Sequence, residues 1–393
     1  MDELQRHRMV YKILLPFVGV FTKWKFNYEY DSLKDIEGPY LLLPNHNLEL
    51  DPVIIGQAAG MQIYFVASEH LLRKGIATKL LMYFLKPIIH MKGRQGAKTV
   101  KQMLRTLQEG YRVCIVPEGN RSFNGVTMPM QASIAKVAKK AKVKLITYRV
   151  EGGYLTQPRW ATNLRRGKLR GRLINIYTPE QLSLMTDEQI NHAIIADLYE
   201  DAYETQKRER IAFKGNNLAF GLESTIFTCP KCGEIGKLRS QDDRFYCDCG
   251  FQAVYDVYGE LTDQNGKKYT VTQLDTMQQD ALKKKIKSWP QDKPIFEDQV
   301  TVHRIGADHK LIGTEEGKLI AYPDHLECGG ERLDYAGMDG MAIYSRSVLL
   351  IHHESVEGHL EVKSDISFSG LKYLYLYNFM LIRKSSSLQC TVC

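Results

Sequence analysis

Between Tyr40 and about Val150, short apolar runs alternate with stretches of helical periodicity, and no other feature of the chain narrows its fold as much. Strand-sized runs separated by helix-sized ones place successive strands in parallel, because a parallel pair needs a long crossover and a helix supplies it compactly. Leu41–Leu43, Arg112–Val116 and Val143–Val150 have the length and apolar content of buried strands. Ahead of the second run, Val100, Met103, Leu104 and Leu107 recur at helical spacing until Gly110 ends the stripe. Thr178-Pro-Glu-Gln and Thr186-Asp-Glu-Gln read as capping boxes, the second opening a helix with Ile190, Ile194 and Leu198 on one face. That helix is expected to close the domain.

A chain of 393 residues has room for two or three domains at roughly 150 residues each. The predicted order is an N-terminal helical segment (1–34), an α/β domain with a mixed sheet flanked by helices (35–215), and a cysteine-rich ribbon segment (216–258). A helical linker (259–295), a small mainly-β domain (296–384) and a disordered tail (385–393) complete it. The β domain is predicted from period-two alternation in segments such as "GKLIAYPDHLEC" and "LKYLYLYNFMLI", and its likeness to a pleckstrin-homology-type barrel is an analogy of fold only. His352 and His353 beside Glu354 suggest a metal site, but neighbouring strand residues point to opposite faces, so a hairpin end is the better reading.

Net charge of +8 favours anionic partners without choosing among lipid, phosphorylated metabolite and nucleic acid. No run reaches the roughly 18 apolar residues of a spanning helix, and the best, Met9 to Phe21, is interrupted by Lys12 and Pro16. Flanked by Arg6, Arg8, Lys23 and Lys25 and carrying Tyr11, Phe17, Phe21 and Trp24, it suits a helix lying in a membrane interface. Asp2 and Glu3 open the chain and no small-residue cleavage site follows, so the expectation is a peripheral protein on the cytoplasmic face of the membrane.

Four of the eight cysteines fall together as Cys229-x2-Cys232, fourteen residues, then Cys247-x-Cys249. Four thiolates so spaced can surround one Zn²⁺, and with no position left for water the metal would be structural. The second pair is one residue shorter than the usual Cys-x2-Cys. Because Cys229 to Gly250 is nearly charge-balanced, with no basic face interleaved with aromatics, nucleic acid is not an expected partner.

The stretch "LLLPNHNLELDPVIIG" places His46 and Asp51 just beyond a presumptive strand, at the sheet edge where α/β proteins hold ligands. Asp51 followed by Pro52 is most simply a helix N-cap. The loop is also long enough to fold the carboxylate onto the imidazole, fixing the tautomer of a base that takes a proton from an alcohol. A second loop, "VCIVPEGNRSFNG", leaves the same edge with Glu118, Gly119 and Arg121, and the guanidinium fork matches a phosphate. A third piece, "HMKGRQGAK", sets Lys92, Arg94 and Lys98 ahead of a helix N-terminus that favours an anion.

Together, "NHNLELD" and "VPEGNRS" resemble the NHxxxxD and FPEGTRS signatures of the lysophospholipid acyltransferases, the 1-acylglycerol-3-phosphate acyltransferase family, over roughly residues 35 to 210. The resemblance implies His46 as general base on the acceptor hydroxyl, Asp51 as its orienting partner, and Glu118, Gly119, Arg121 and Arg94 as acceptor-binding residues. It implies an acyl-CoA or acyl carrier protein donor and a lysophospholipid or lysophosphatidate acceptor. Val116 and Asn120 depart from the usual Phe and Thr. "EGGYLTQPRW" and "NLRRGKLRGR" further resemble a bacterial subgroup carrying a cysteine-rich insert and a C-terminal extension, and Arg165, Arg166, Lys168, Arg170 and Arg172 form a basic run suited to anionic lipid or to a solvated loop. A thioester donor is already activated, so one base suffices, and no G-x-S-x-G elbow is present. The rival expectation is a lipid- or nucleic-acid-binding module on a catalytically degenerate form of this fold.

Overall fold

The computed structural model describes residues 3–68, 79, 82–90 and 96–390. They divide into two compact units, Met1–Pro158 with Leu164–Gly215, and Arg159–Asn163 with Asn216–Cys393.

In the first unit the strands are β1 (Glu29–Tyr30), β2 (Tyr40–Pro44), β3 (Tyr64–Ser68), β4 (Ile88–His90), β5 (Val113–Cys114), β6 (Lys144–Glu151) and β7 (Arg170–Tyr177). They form one sheet in the order β1-β7-β6-β2-β5-β3-β4. β2 lies parallel to both β5 and β6, while β6 and β7 are antiparallel, so the sheet is mixed. β2 is buried along its whole length, and its leucines divide between two layers. Leu42 packs with Ile54, Ile55 and Ala58 of the helix Asp51–Ala59 on one face. Leu41 and Leu43 pack with Met103, Leu107, Ile134, Ile190 and Ile194 on the other. A strand covered on both faces needs a continuous apolar run, which explains the three successive leucines.

The predicted strands are observed, although the second shrinks to Val113–Cys114. Both capping boxes form, at Thr178 with Gln181 and at Thr186 with Gln189. The helix Asp187–Leu198 does not end the unit as expected: a further helix, Ala202–Glu209, follows, capped by the Asp201 side chain.

The N-terminal helix Glu3–Phe26 is held at its middle and at its C-terminal end by polar and apolar contacts. Thr22 donates to Gln57 at 2.5 Å, Tyr11 donates to the carbonyl of Ile63 at 3.1 Å, and Phe26 is fully buried. Among the described residues no helix is long and apolar enough to cross a membrane.

The second unit holds two antiparallel sheets. The first contains β8 (Leu238–Gln241), β9 (Arg244–Cys247), β10 (Phe251–Tyr255), β11 (Glu260–Asp263) and β12 (Lys268–Thr270), in reverse chain order. The segment predicted as a helical linker therefore begins with two strands, and its helix, Val271–Lys287, opens on a capping box at Thr270. The second comprises β13 (Phe296–Ile305), β14 (Leu311–Ala321), β15 (His325–Cys328), β16 (Glu331–Asp334), β17 (Met338–Tyr344), β18 (Val348–His353) and β19 (His359–Lys363), ordered β16-β15-β14-β13-β19-β18-β17.

The closing helix Gly370–Cys390 corrects two expectations: "LKYLYLYNFMLI" is helical, and so is most of the supposed disordered tail. Its aromatic alternation misled the period count. Leu371, Tyr373, Leu376, Tyr377 and Met380 are buried at helical spacing, and Lys372 meets Asp298 of β13 at 2.7 Å.

Candidate active site

Because β2, β5 and β6 are parallel neighbours, their carboxyl ends open on one edge of the sheet. Three loops leave that edge: Asn45 to Leu50 after β2, the turn through Glu118 after β5, and Gly152-Gly153 after β6. His46 stands in the first. Its Nδ1 lies 2.7 Å from Asp51 Oδ2, and the same oxygen accepts the backbone N–H groups of Asn47 at 3.0 Å and Leu48 at 3.3 Å.

An oxygen already accepting two N–H groups is an acceptor for the ring as well, so Nδ1 carries the hydrogen and Nε2 keeps its lone pair. The His46 side chain is 27% exposed and that of Asp51 2%, leaving the imidazole accessible and its partner sealed. Asp51 is not the cap it resembles. Leu50 occupies the N-cap position without a side-chain hydrogen bond, and Asp51 is the first residue of the helix with its carboxylate turned back onto the loop.

Glu118 reaches the same loop from β5. Its Oε1 accepts the N–H of His46 at 2.7 Å and its Oε2 the N–H of Met128 at 2.7 Å. Burial pushes its carboxyl up to about 8, the two backbone donors pulling the other way. Both oxygens of the buried Glu118 carboxyl are thus held by backbone N–H groups, one of them that of His46. Ser122 N–H donates to the carbonyl of His46 at 3.2 Å, a second tie between the loops.

Gly119 sits at φ +70°, a left-handed turn that suits glycine. Arg121 is largely buried and donates to Glu49 Oε1 at 3.1 Å, so the guanidinium stands on the His46 side of the turn. Arg94 and Lys92 lie outside the described residues.

Sequence reasoning missed three residues at this edge. Asn45 and Asn47, which flank His46, both donate through Nδ2 to Val150 O at 3.0 Å and to Oε2 of Glu200, and Asn45 Oδ1 accepts Val150 N–H at 2.7 Å. Glu200 Oε1 accepts Gly152 N–H at 3.0 Å. Burial pushes Glu200 up to about 8 as well. Nothing in local spacing marks Glu200, which lies far along the chain after the helix Asp187–Leu198. Gly153 is required by approach: a Cβ there would come within 2.7 Å of Asn47 Cβ.

Much of the basic run is paired within the chain. Lys168 pairs with Glu29 at 2.9 Å, Arg170 with Glu209, Arg172 with Asp31 at 3.7 Å, and Arg165 is buried.

In the second unit, Cys229, Cys232, Cys247 and Cys249 come together with all four sulfurs within 4.8 Å of one another. The Cys229–Cys249 and Cys232–Cys247 sulfurs are 3.6 and 3.9 Å apart. A tetrahedron of thiolates about 2.3 Å from zinc requires sulfurs about 3.8 Å apart, so the donor set fits that ion. The short second pair works because Cys247 ends β9 and Cys249 lies in the turn closed by Gly250 at φ +86°.

A mixed α/β domain that presents an imidazole, fixed in one tautomer by a carboxylate, at the carboxyl edge of its sheet defines a class of candidate acid–base site. Residues 25–151 match the family model described as Acyltransferase. That stretch is about a third of the chain and lies within the first unit, so the match is to an acyltransferase domain and reaches no residue of the second unit. Among solved structures the chain is similar to the 1-acyl-sn-glycerophosphate (LPA) acyltransferase PlsC from Thermotoga maritima, with 16% identity over 53% of this chain and 83% of that one and a TM-score of 0.44.

Proposed function

We propose that the first unit transfers an acyl chain from acyl-CoA or acyl carrier protein to the free hydroxyl of a lysophospholipid or lysophosphatidate. The observation that carries this reading is the 2.7 Å contact between His46 Nδ1 and Asp51 within the stretch that matches the acyltransferase family model. His46 Nε2 takes the hydroxyl proton as the oxygen attacks the thioester carbonyl, and Asp51 stabilises the imidazolium that forms. The tetrahedral intermediate collapses with loss of the C–S bond, and the departing thiolate recovers the proton from His46. Arg121, Gly119 and Arg94 are assigned to the acceptor phosphate. Glu118 holds the backbone of His46.

The membrane is proposed as the source of acceptor. On the N-terminal helix Met9, Ile13, Phe17, Val20 and Trp24 follow one another every three or four residues and are all exposed, Phe17 at 72%. With Arg6, Arg8, Lys23 and Lys25 near the two ends, that stripe suits insertion among headgroups on the cytoplasmic face. The four cysteines are assigned one structural Zn²⁺ that staples the first sheet of the second unit.

The deciding experiment follows labelled palmitoyl from acyl-CoA and from acyl carrier protein onto a panel of lysophospholipids in vesicles. Transfer that collapses in His46→Ala supports the enzyme, its base and its acceptor at once. Absence of transfer from either donor by the folded, lipid-bound wild type would favour a binding module on a degenerate domain.

A further inference from the structure

Glu200 accepts hydrogen bonds from both asparagines that flank His46 and from the backbone of Gly152, and it is itself almost fully buried. Its main chain is tied as closely to the other motif loop. Glu200 N–H donates to Thr127 Oγ1 at 2.8 Å and its carbonyl accepts Thr127 N–H at 3.0 Å, while Ala202 N–H donates to Gly125 O at 3.0 Å. One residue therefore joins the ends of β2 and β6 to the loop that follows β5. None of these partners is exposed, so none is spent on solvent.

Resting on the acyl-transfer reading above, we propose that Glu200 is a positioning residue for the His46 base: its carboxylate fixes the Asn45-His46-Asn47 backbone so that the imidazole stays seated on Asp51. Asn45 and Asn47 each donate from Nδ2 both to the Val150 carbonyl and to Glu200 Oε2, one from either side of the histidine. Without that anchor the two side chains keep one acceptor at Val150 and lose the second. The loop backbone is then left to Glu118 at His46 N–H, Ser122 at His46 O and Asp51 at the N–H groups of Asn47 and Leu48, none of which fixes the asparagine side chains. Glu200 touches no reacting atom in this scheme.

Glu200→Gln tests it when assayed above about pH 8, where the buried Glu200 carboxyl is ionised and accepts all three hydrogen bonds, because an amide of the same size must aim its NH₂ either at the two asparagine amides or at Gly152 N–H. A donor then faces a donor in a buried site. In the transfer assay kcat is expected to fall about 100-fold, the effect of displacing a catalytic group by about 1 Å. KM for the lysophospholipid is expected to stay within about threefold, since a general loss of structure would move both parameters. Imidazole ¹⁵N spectra supply a readout independent of turnover: His46 should lose its single Nδ1–H signature in the variant.

Asn47→Ala removes one arm of the anchor without placing a donor in the site, and carries the test if Glu200→Gln does not fold. It should show the same split between kcat and KM and the same spectral change. A kcat within about threefold of wild type in a folded variant, or an unchanged His46 spectrum, overturns the proposal. If the wild type transfers no acyl group, the functional reading fails, and the imidazole spectra still decide whether Glu200 positions His46.

Discussion

Asp51→Asn keeps the shape of the side chain and removes its charge. Oδ2 of Asp51 serves three donors, the ring Nδ1 and the N–H groups of Asn47 and Leu48, whereas Oδ1 is buried without a hydrogen-bond partner among the described residues. Asparagine has two ways to occupy this site. With its carbonyl at the Oδ2 place, the three donors keep their acceptor but an NH₂ is buried unpaired at the Oδ1 place, at a cost of about 1–3 kcal/mol.

In that orientation the imidazole keeps its tautomer and loses the negative charge that stabilises its protonated form. With the NH₂ at the Oδ2 place, two backbone donors meet a third, and Nδ1 must become an acceptor. The ring hydrogen then moves to Nε2, where the lone pair is needed. A hydrogen bond to a charged partner is worth roughly 1.5–3 kcal/mol, so at 1.36 kcal/mol per decade the first orientation lowers the rate about 10- to 100-fold.

The second orientation removes the base outright, and a wrong tautomer elsewhere costs about 10⁴-fold. Initial rates of thiol release from palmitoyl-CoA, at saturating acceptor and with folding checked by circular dichroism, measure the outcome. A folded Asp51→Asn with kcat within about threefold of wild type would refute the reasoning, because neither orientation permits it.

Burial lifts Glu118 and Glu200 to about 8 from an ordinary 4.5, so between those values the folded protein holds protons that the unfolded chain has released. Their stabilisation is complete below about pH 4.5 and is lost as pH rises through 8, at up to roughly 1.4 kcal/mol per pH unit for each group. Urea melts at pH 6, 7 and 8 should show falling stability and Glu118→Gln a shallower slope; a stability that climbs over this window would contradict the assignment. Zinc analysis should find one ion per chain, and Cys232→Ser should lose it and lower the melting temperature, since a structural site contributes about 10–16 kcal/mol of apparent binding free energy. A metal-free protein whose melting ignores both chelator and the substitution would remove the zinc proposal. Phe17→Glu should weaken flotation with anionic vesicles about 10- to 100-fold, the worth of one buried phenylalanine, whereas unchanged flotation would send the membrane contact elsewhere.

How far the sequence could be read depended on whether the signal was local. The leucines of β2, the stripe of the helix Ala97–Gln108 and the Thr178 and Thr186 boxes lie within single elements, and periodicity found them. His46, Asp51 and Glu118 stood out because two loops carry recognisable spacing. The role of Glu118 did not, since whether its carboxylate points outward or onto the backbone of His46 depends on a turn and a neighbouring strand. Asp51 looked like a cap for the same reason: its fold-back lies in the loop geometry. The basic run Arg165 to Arg172 read as free charge because Glu29, Asp31 and Glu209 reach it from distant segments. The final helix was missed where tyrosines and leucines alternate, a pattern that two periods can share.

The position of Glu200 also sets how short an active fragment can be. The stretch that matches the family model ends at residue 151, before Gly152 and well before Glu200. A truncated chain stopping there would expose the flank of β6 where β7 belongs and leave the amides of Asn45 and Asn47 without their carboxylate. Cloning this domain by its recognisable motifs alone would therefore yield the histidine and its aspartate without the part of the chain that keeps them in register.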